Sequence, residues 1–387
     1  MAAGAVNLDA EHEQFRDSVR AMVAGHVTPI ADELDRTQRF PRELVEVFGD
    51  MGLPQLALPE EYGGPGGDLL SVCIAREEVA RGGSVALSQL ASQNGIVIWG
   101  ILASGSEELK RKFLPVLAKG RTLTCIAITE SEAGSDPATM RTRAVRDGDD
   151  WIINGSKQFI TLGGIASYAL VFARTNEAPR SKGISAFLVD TSQKGWVVAR
   201  DNEKMGQRAF PVSDIILDNV RVPDAMMVGS EGQGFRSILN SLHLNRPTVA
   251  AMAVGLAQCA LDYAIGYAKE HATGGSKVAD FQGIRWMIAD CATAIEAGRN
   301  LVYSAALVHD SGAPEVEVTR LGSMAKLFCG DMANRVASDA VQILGGAGYM
   351  LDHPVERYMR DAKLLAIYEG TSQVQRNIIA NKILGST

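Results

Sequence analysis

Near the C-terminus the chain reads Ile367-Tyr368-Glu369-Gly370-Thr371-Ser372-Gln373-Val374-Gln375-Arg376. One carboxylate, that of Glu369, stands here beside a glycine and a group of hydroxyl and amide side chains. The residues at 364–367 are apolar. Because burial raises the pKa of a carboxyl group, Glu369 is a candidate base near neutral pH. The alternative is an ordinary boundary between helices, with Gly370 at C′ and Thr371 or Ser372 capping the next helix.

Two upstream segments accompany this stretch, Gln342-Ile343-Leu344-Gly345-Gly346-Ala347-Gly348-Tyr349 and Arg360-Asp361-Ala362-Lys363. In this order, and together with Tyr368 to Gln373, they resemble the C-terminal signature of the acyl-CoA dehydrogenases. The resemblance implies that Glu369 abstracts the α-proton of an acyl-CoA thioester, as in medium-chain and short-chain members. It also implies that Tyr368 and Gly370 contact the substrate.

The composition is that of a globular chain. Its 387 residues are 46% hydrophobic and 21% charged, which allows two or three domains. A net charge of −7 and a pI near 5.5 give no large basic field, so nucleic acid is not an expected partner. No uninterrupted apolar run reaches the roughly 18 residues of a spanning helix, so no membrane span is expected.

The cysteine and histidine residues point to neither disulfides nor a metal. The five cysteines stand singly, without a Cys-x-x-Cys pair, which favours free buried thiols in a reducing compartment. The six histidines are scattered without metal-ligand spacing, so no metal is expected. The N-terminus has neither a basic n-region nor an Arg-rich presequence, and a cytoplasmic location is expected.

The periodicity of apolar residues divides the chain into three parts. Helical patterns dominate residues 1–120, short β-rich runs dominate 121–232, and long amphipathic helices return in 233–387. The pattern predicts a mainly α protein with an N-terminal α-helical domain, a small antiparallel β barrel or sandwich, and a C-terminal four-helix bundle. The family resemblance implies the same order of domains.

Two local patterns give sharper predictions. The stretch from Val85 to Leu102 predicts one helix. Asn154-Gly155, between the β-rich runs Trp151-Ile152-Ile153 and Lys157-Gln158-Phe159, predicts a hairpin. Both turn residues tolerate the positive φ that a type I′ turn requires.

The β-rich part contains two further matches to the family. Ile126-Ala127-Ile128-Thr129-Glu130-Ser131-Glu132-Ala133-Gly134-Ser135-Asp136 resembles its first flavin signature, and Phe159-Ile160-Thr161 resembles the second. The resemblance implies FAD, with Thr129 at the pyrimidine end, Thr161 near N5, Phe159 over one ring face, and Ser135 near both flavin and CoA chain. Each residue has a structural alternative, as strand former, core aromatic or turn residue.

Further cofactor contacts are implied around the FAD pyrophosphate and adenosine. These residues are Gln282, Gln342, Gly345, Gly346, Thr371 and Gln373, with Gln342 and the two glycines reaching across a subunit boundary. His271 departs from the pattern, because the family usually has Arg there to grip the pyrophosphate. Gly274 likewise replaces Phe or Tyr. A neutral His supplies one donor and no charge at pH 7, so this contact is expected to be weaker.

Two positions refine the catalytic assignment. Arg246 matches a family arginine that lines the substrate site, although it could equally pair with an exposed acid. Asn245 stands where isovaleryl- and long-chain-type members place their Glu, and it cannot take a proton, so Glu369 is the only family-matched base. Glutaryl-type members carry an Arg in the segment corresponding to 85–102, which here has no Lys or Arg. A monoacyl substrate is therefore favoured.

The expected function is FAD-dependent α,β-dehydrogenation of an acyl-CoA to the trans-2-enoyl-CoA, with electrons passed to an electron-transferring flavoprotein. The resemblance also implies a homotetramer built as a dimer of dimers. Two alternatives remain open. One is an acyl-CoA oxidase or flavin monooxygenase on the same fold, in which O2 reoxidises the flavin. The other is a non-catalytic assembly subunit, for which His271 and Gly274 are the motive.

Overall fold

Helices form both ends of the described chain and strands form its middle. The computed structural model describes residues 8–385, apart from the side chains of 236–240. The helices of the first part are α1 Ala10–Met22, α2 Ala31–Thr37, α3 Arg42–Asp50, α4 Leu69–Arg81, α5 Val85–Leu90, α6 Gly95–Ser104 and α7 Glu107–Ala118. The strands that follow are β1 Thr124–Ala127, β2 Arg143–Asp147, β3 Asp150–Thr161, β4 Tyr168–Arg174, β5 Ile184–Asp190, β6 Trp196–Asp201 and β7 Val212–Pro223.

The last part is helical again except for one short hairpin. Its elements are α8 Gly234–Glu270, β8 Ala272–Thr273, β9 Ser276–Lys277, α9 Gln282–Asp310, α10 Glu315–Leu344, α11 Val355–Leu364 and α12 Ser372–Leu384. Helix α10 packs against α8, α9 and α12, and α8 also packs against α4 of the first part. The helical bundle is thus continuous with the N-terminal helices, and the mainly α fold with a central β region is confirmed.

Side-chain caps fix the starts of α12 and α4. The side chain of Thr371 accepts a 3.2 Å hydrogen bond from the backbone N–H of Val374, at the start of α12. Asp68 accepts a 2.8 Å bond from Ser71 N–H at the start of α4. Such caps satisfy backbone donors that a helix leaves free at its N-terminus. The sequence-based cap at Thr371 is therefore confirmed.

The single helix predicted from Val85 to Leu102 is wrong, because α5 ends at Leu90 and α6 begins at Gly95. Two side chains in the segment between these helices form hydrogen bonds to backbone carbonyls at and just before the start of β1. Gln93 Nε2 donates to the Thr124 carbonyl at 2.8 Å, and Asn94 Nδ2 donates to the Thr122 carbonyl at 2.8 Å. These bonds tie the break between the helices to β1.

The sheet has the order β1-β4-β2-β3-β7-β6, and β5 also pairs with β4. Most pairs are antiparallel as predicted, but β1 and β4 are parallel, with Thr124 opposite Tyr168. Strand β2 also meets β4 in parallel, at Arg143 and Arg174. A purely antiparallel sheet is therefore not what forms. The two parallel contacts join β1 and β2 to the same strand.

The hairpin predicted at Asn154-Gly155 is wrong, because both residues lie inside the continuous strand β3. Asn154 Oδ1 accepts a 2.8 Å bond from Asn219 N–H on β7, and the pairing of β3 with β7 shifts register between Ile153 and Gly155. The Asn-Gly signal thus marks an irregularity in the strand. The turn lies earlier, between β2 and β3, where Gly148 has a φ of 63°.

Two apolar stretches, Val85–Ser104 and Ser241–Glu270, are long and apolar enough to cross a membrane by length and composition. Of the most apolar part of each, 72% and 67% respectively is buried inside the fold. Helices that are apolar on most sides are typical of a protein core. Packing of α8 against α4 and α10 therefore accounts for the second stretch.

Candidate active site

The turn formed by residues 368–370, called the reactive turn below, has an unusual backbone. Glu369 has a φ of 55° and Gly370 a φ of 88°, so two consecutive residues are left-handed. A non-glycine residue in this region is strained and persists only where its surroundings hold it. Lys326 Nζ donates to the Gly370 carbonyl at 2.6 Å. Gln375 Nε2 donates to the carbonyls of Glu369 and Gly370 at 3.1 and 3.0 Å.

The carboxyl group of Glu369 points inward. The residue as a whole is half-buried, but its Oε2 atom is shielded from solvent and has no hydrogen-bond partner among the described residues. Burial raises the pKa of Glu369, opposed by a side-chain hydrogen bond from Asn245 and by the charges of Arg76, Lys326 and Arg246. A buried acid with a raised pKa and a free oxygen is suited to accept a proton.

Three buried cations surround this acid, and each is hydrogen-bonded to a neutral group. Arg246 Nη1 lies 3.3 Å from Ser323 Oγ, and burial lowers the pKa of its guanidinium to about 10. Burial lowers the pKa of Lys326 to about 8. Arg76, whose pKa burial also lowers, bonds to Asn245 Oδ1 at 3.2 Å. The interior around Glu369 is thus rich in positive charge.

Arg246 lies near the candidate base, and it forms no ion pair with an exposed acid among the residues that the structure describes. It is 4% exposed, and the charge of Glu369 acts on it. Its Nε atom is buried without a partner among the described residues. An unused donor of this kind, close to a buried acid, is available to a bound ligand.

Gln207 connects the β region to the helices beside the turn. The hydroxyl of Tyr368, whose pKa is raised by burial, donates to Met252 Sδ at 3.8 Å. Gln207 lies in the loop between β6 and β7, is 2% exposed, and has a φ of 50°. Its Nε2 donates to the Asp361 carbonyl at 3.1 Å, and Gln89 Nε2 donates to its Oε1 at 2.8 Å. This loop therefore joins the β region to α5 and α11, beside the reactive turn.

Phe159 is the most informative of the residues predicted to meet the flavin. Its side chain is 61% exposed and its φ is 60°, within the register shift between Lys157 and Ile160. The bulge turns a large aromatic ring out to solvent, which excludes the core alternative. Thr129 lies close by, since Gln158 N–H donates to its carbonyl at 2.8 Å. Thr161 ends the same strand, and Ser135 is exposed on the adjacent loop.

A buried ion pair holds this region together. Lys157 Nζ lies 2.8 Å from Glu130 Oε1, and the side chains are 0% and 8% exposed. Glu130 also accepts hydrogen bonds from Thr142 Oγ1 at 2.6 Å and from Arg141 N–H at 2.6 Å. These two donors follow the flavin-signature segment in the chain. Sequence reasoning missed this pair. The signal was an acid within the signature and a lysine flanked by strand residues.

A separate cleft of about 580 Å³ brings together several residues predicted at the pyrophosphate. Among its lining residues are His271, Gln342 and Gly345. A side chain at Gly345 or Gly346 would meet nothing within 4 Å, so the backbone there is open to a ligand. Gln282 begins α9 between two further lining residues, Phe281 and Gly283.

Not every predicted cofactor residue lies at this cleft. Thr371 and Gln373 belong to the start of α12, beside the Glu369 turn, and are not among the lining residues. His271 is exposed and stacks on Tyr267, with ring centroids 4.7 Å apart and planes at 18°. The stacked imidazole has a defined position at the rim, with one edge free to reach a ligand.

The fold and these two regions match known proteins over the whole chain. Family models described as the N-terminal, middle and C-terminal domains of acyl-CoA dehydrogenase match residues 9–121, 125–220 and 232–384. The chain belongs to the acyl-CoA dehydrogenase family. It is therefore an oxidoreductase of this flavoprotein family, as the sequence motifs predicted.

Three relatives among the acyl-CoA dehydrogenases and related reductases illustrate the match. A probable acyl-CoA dehydrogenase of Mycobacterium tuberculosis is 42% identical, over 97% of this chain and 96% of that protein. A caffeyl-CoA reductase-Etf complex subunit of Acetobacterium woodii is 40% identical, over 92% and 93%. The structure of butyryl-CoA dehydrogenase from Megasphaera elsdenii has a TM-score of 0.93 at 34% identity, covering 98% of this chain and 99% of that one.

Members of the acyl-CoA dehydrogenase family are FAD-dependent, and the residues of this chain fit such a group. A flavin needs an aromatic wall and polar partners, and a pyrophosphate needs open backbone. The exposed ring of Phe159 supplies the aromatic wall. The glycines of the His271 cleft supply the open backbone for the pyrophosphate.

Proposed function

We propose that this acyl-CoA dehydrogenase uses FAD to convert a monoacyl-CoA into the trans-2-enoyl-CoA, with Glu369 as the base. The observation that carries the proposal is the Glu369 carboxyl itself. Its Oε2 is buried and has no hydrogen-bond partner in the part of the chain that the structure describes, it sits on a strained turn, and three buried cations act on it. A surface capping acid has none of these features.

Proton removal from the α-carbon is the step that the turn serves. A carboxylate of ordinary pKa is a weak base, and burial of Glu369 raises its pKa toward neutrality. Lys326 and Gln375 hold the backbone of the turn, so the carboxyl meets the substrate from a fixed position. Bound FAD supplies the acceptor for the hydride that leaves the β-carbon.

Negative charge that develops on the thioester carbonyl also needs stabilisation. By the family resemblance, the backbone N–H of Glu369 would donate to that oxygen, and bound FAD would supply a second donor. Here the charges of Arg246 and Lys326 act on the same corner. Fixed charges in a dry site stabilise a developing anion more strongly than they would in water.

The substrate is proposed to be an uncharged acyl group joined to CoA. Helices α5 and α6 carry no Lys or Arg, so this wall has no partner for a second carboxylate. Trp99 on α6 packs over Gly95, where an added Cβ would lie 3.4 Å from its ring. We propose that this ring closes the far end of the acyl site and so favours a short acyl chain. The Megasphaera relative is a butyryl-CoA dehydrogenase by name.

The proposed partners are a second flavoprotein and further copies of the chain. The Acetobacterium relative is named as a subunit of an Etf complex, which supports an electron-transferring flavoprotein as the acceptor. Tyr349 and Leu351 are 81% and 71% exposed just beyond the cleft residues Gln342 and Gly345. Their exposure supports a subunit boundary there, in a homotetramer arranged as a dimer of dimers. The proposed location is the cytoplasm.

Glu369→Gln tests the proposal. The variant is expected to keep bound FAD and to bind acyl-CoA, but the rate at which substrate bleaches the flavin anaerobically should fall by at least about a thousandfold. Glu317→Gln, on the exposed side of α10, is the matched control and should reduce at the wild-type rate. Near-normal bleaching of the Glu369 variant would refute the assignment.

The same preparation separates the two alternatives. A panel of acyl-CoAs that differ in length and in a terminal carboxylate identifies the substrate by the extent of bleaching. Mixing the reduced, product-bound enzyme with air then distinguishes a dehydrogenase, which reoxidises slowly, from an oxidase or monooxygenase, which reoxidises at once. Purified protein that is colourless and takes up no FAD would instead favour an assembly subunit.

A further inference from the structure

Arg76 is a buried charge whose hydrogen-bond partners among the described residues are all neutral. It lies on α4 and is 6% exposed. Its Nη1 lies 3.2 Å from Asn245 Oδ1 and 2.6 Å from Thr248 Oγ1, and its Nε lies 3.4 Å from the Ser88 carbonyl. Burying a guanidinium without a carboxylate in contact costs free energy. The fold nonetheless keeps it beside the reactive turn, where the charge of Glu369 acts on it.

The contacts of Arg76 determine how the amide of Asn245 is turned. A guanidinium has donors only, so the Asn245 atom that it meets is the carbonyl oxygen Oδ1. Thr248 Oγ1 lies 2.9 Å from the same oxygen and supports the same assignment. The NH2 group of Asn245 is consequently the part of the amide that is left to donate, and it lies close enough to the Glu369 carboxyl to lower the pKa of that group.

We propose that Arg76 is a positioning residue for Glu369 and acts through the amide of Asn245. The proposal rests on the proposed role of Glu369 as the base. Arg76 holds Oδ1, Asn245 presents its NH2 group to the carboxylate, and the carboxylate is thereby kept in one orientation before substrate arrives. The guanidinium charge also favours the ionised, proton-accepting form of Glu369.

Arg76 is one of several charged or titratable groups around Glu369. Helix α8 contributes Arg246, α10 contributes Lys326, and the turn itself contributes Tyr368. Arg246 and Lys326 would remain in a variant without Arg76, so the site would stay positive. What the variant loses is the contact that orients Asn245, together with one cation.

The test is the pH dependence of kcat/KM for acyl-CoA in Arg76→Met. Loss of a cation and of an oriented donor raises the pKa of the base. The acid limb of the profile, where kcat/KM falls as the base becomes protonated, should therefore move to higher pH. At a pH on that limb, kcat/KM should fall about tenfold further than on the plateau. FAD affinity, followed by flavin fluorescence, should not change. Arg81→Met is the matched control on the same helix, since Arg81 pairs with Asp262 at the surface.

Two further variants keep the test decisive if Arg76→Met does not fold. Arg76→Lys retains a charge but not the fork of donors, and its acid limb should lie between those of Arg76→Met and the wild type. Thr248→Val removes the hydroxyl that joins Arg76 to Asn245, and its limb should move in the same direction by less.

An unmoved acid limb in a folded, FAD-loaded Arg76 or Thr248 variant would overturn the positioning role. Failure of the underlying proposal looks different, because Glu369→Gln would then still reduce its flavin. A wild-type enzyme with no acid limb at all would also count against both residues together.

Discussion

The ammonium group of Lys326 lies 2.6 Å from the carbonyl oxygen of Gly370, the residue that follows Glu369. Helix α10 thus holds the turn through Lys326, and α12 holds it through Gln375, which donates to the same carbonyl. The same buried ammonium contributes positive charge to the site. One side chain therefore serves both the shape and the electrostatics of the reactive turn.

Lys326→Met should reduce the rate of flavin reduction by about tenfold to a hundredfold, the usual cost of losing a charge-assisted hydrogen bond. The measurement is anaerobic stopped flow with saturating acyl-CoA. Lys363→Met, on an exposed part of α11, is the control. A Lys326 variant that reduces its flavin at the wild-type rate would show that Gln375 alone suffices to hold the turn.

Lys326 also predicts a pH dependence of stability. Burial lowers the pKa of this group from 10.5 to about 8, so the folded chain binds the proton more weakly than the unfolded chain. Its contribution to the free energy of unfolding should rise between pH 8 and pH 10.5. Urea unfolding at both pH values should show a larger rise in the wild type than in Lys326→Met, in which Lys157, also lowered to about 8, still contributes. Equal changes in the two proteins would contradict the assignment.

Glu130→Gln should lower the free energy of unfolding by about 3 kcal/mol or more, because it leaves the buried ammonium of Lys157 without its carboxylate. Burial already lowers the pKa of Lys157 to about 8. Glu177→Gln is the control, since Glu177 pairs with Arg143 at the surface and should change stability by less than about 1 kcal/mol. Equal losses in urea unfolding would remove the distinction between the two pairs.

Phe159→Ala should weaken FAD binding about tenfold through loss of an aromatic wall, and should leave the apo protein's stability within about 0.5 kcal/mol of wild type because the ring is exposed. Val145→Ala is the control, on an exposed strand position of similar accessibility, 64% against 61%. Flavin fluorescence titration measures affinity. An unchanged affinity would place the flavin elsewhere.

His271→Arg should tighten FAD binding about tenfold, because a charged donor then faces the proposed pyrophosphate. The change should be largest at low ionic strength, where charges are least screened. His26→Arg adds the same charge at an exposed position in the first part of the chain and should have no effect. If both variants bind FAD alike, the cleft at Gln342 and Gly345 does not hold the phosphates.

Sequence reasoning succeeded where a residue's role depends on its neighbours in the chain. The helical ends of the chain, its β-rich middle and the cap at Thr371 follow from local pattern. The Asn154-Gly155 hairpin was wrong because the same dipeptide also suits a strand irregularity, and only the pairing with β7 decides between the two. The break between α5 and α6 likewise depends on bonds from Gln93 and Asn94 to distant backbone.

The electrostatics of the site could not be predicted in this way. Arg76, Asn245 and Lys326 lie on three different helices and converge on one carboxyl group only in the folded chain. In the sequence, Arg76 stands within the apolar pattern of α4, which was a sign of a buried charge but named no partner. Arg246 was found because the family resemblance pointed to it.

The excess of buried cations over buried acid at Glu369 has a consequence for the chemistry. In the proton-transfer step of the proposed reaction, one negative charge leaves the Glu369 carboxylate while an equal one develops on the thioester. The net charge of the site beside Arg76, Arg246 and Lys326 is therefore the same before and after the proton transfer. The surrounding protein therefore has little need to rearrange its dipoles during the transfer, since the anion only moves a short way within a field already built for it.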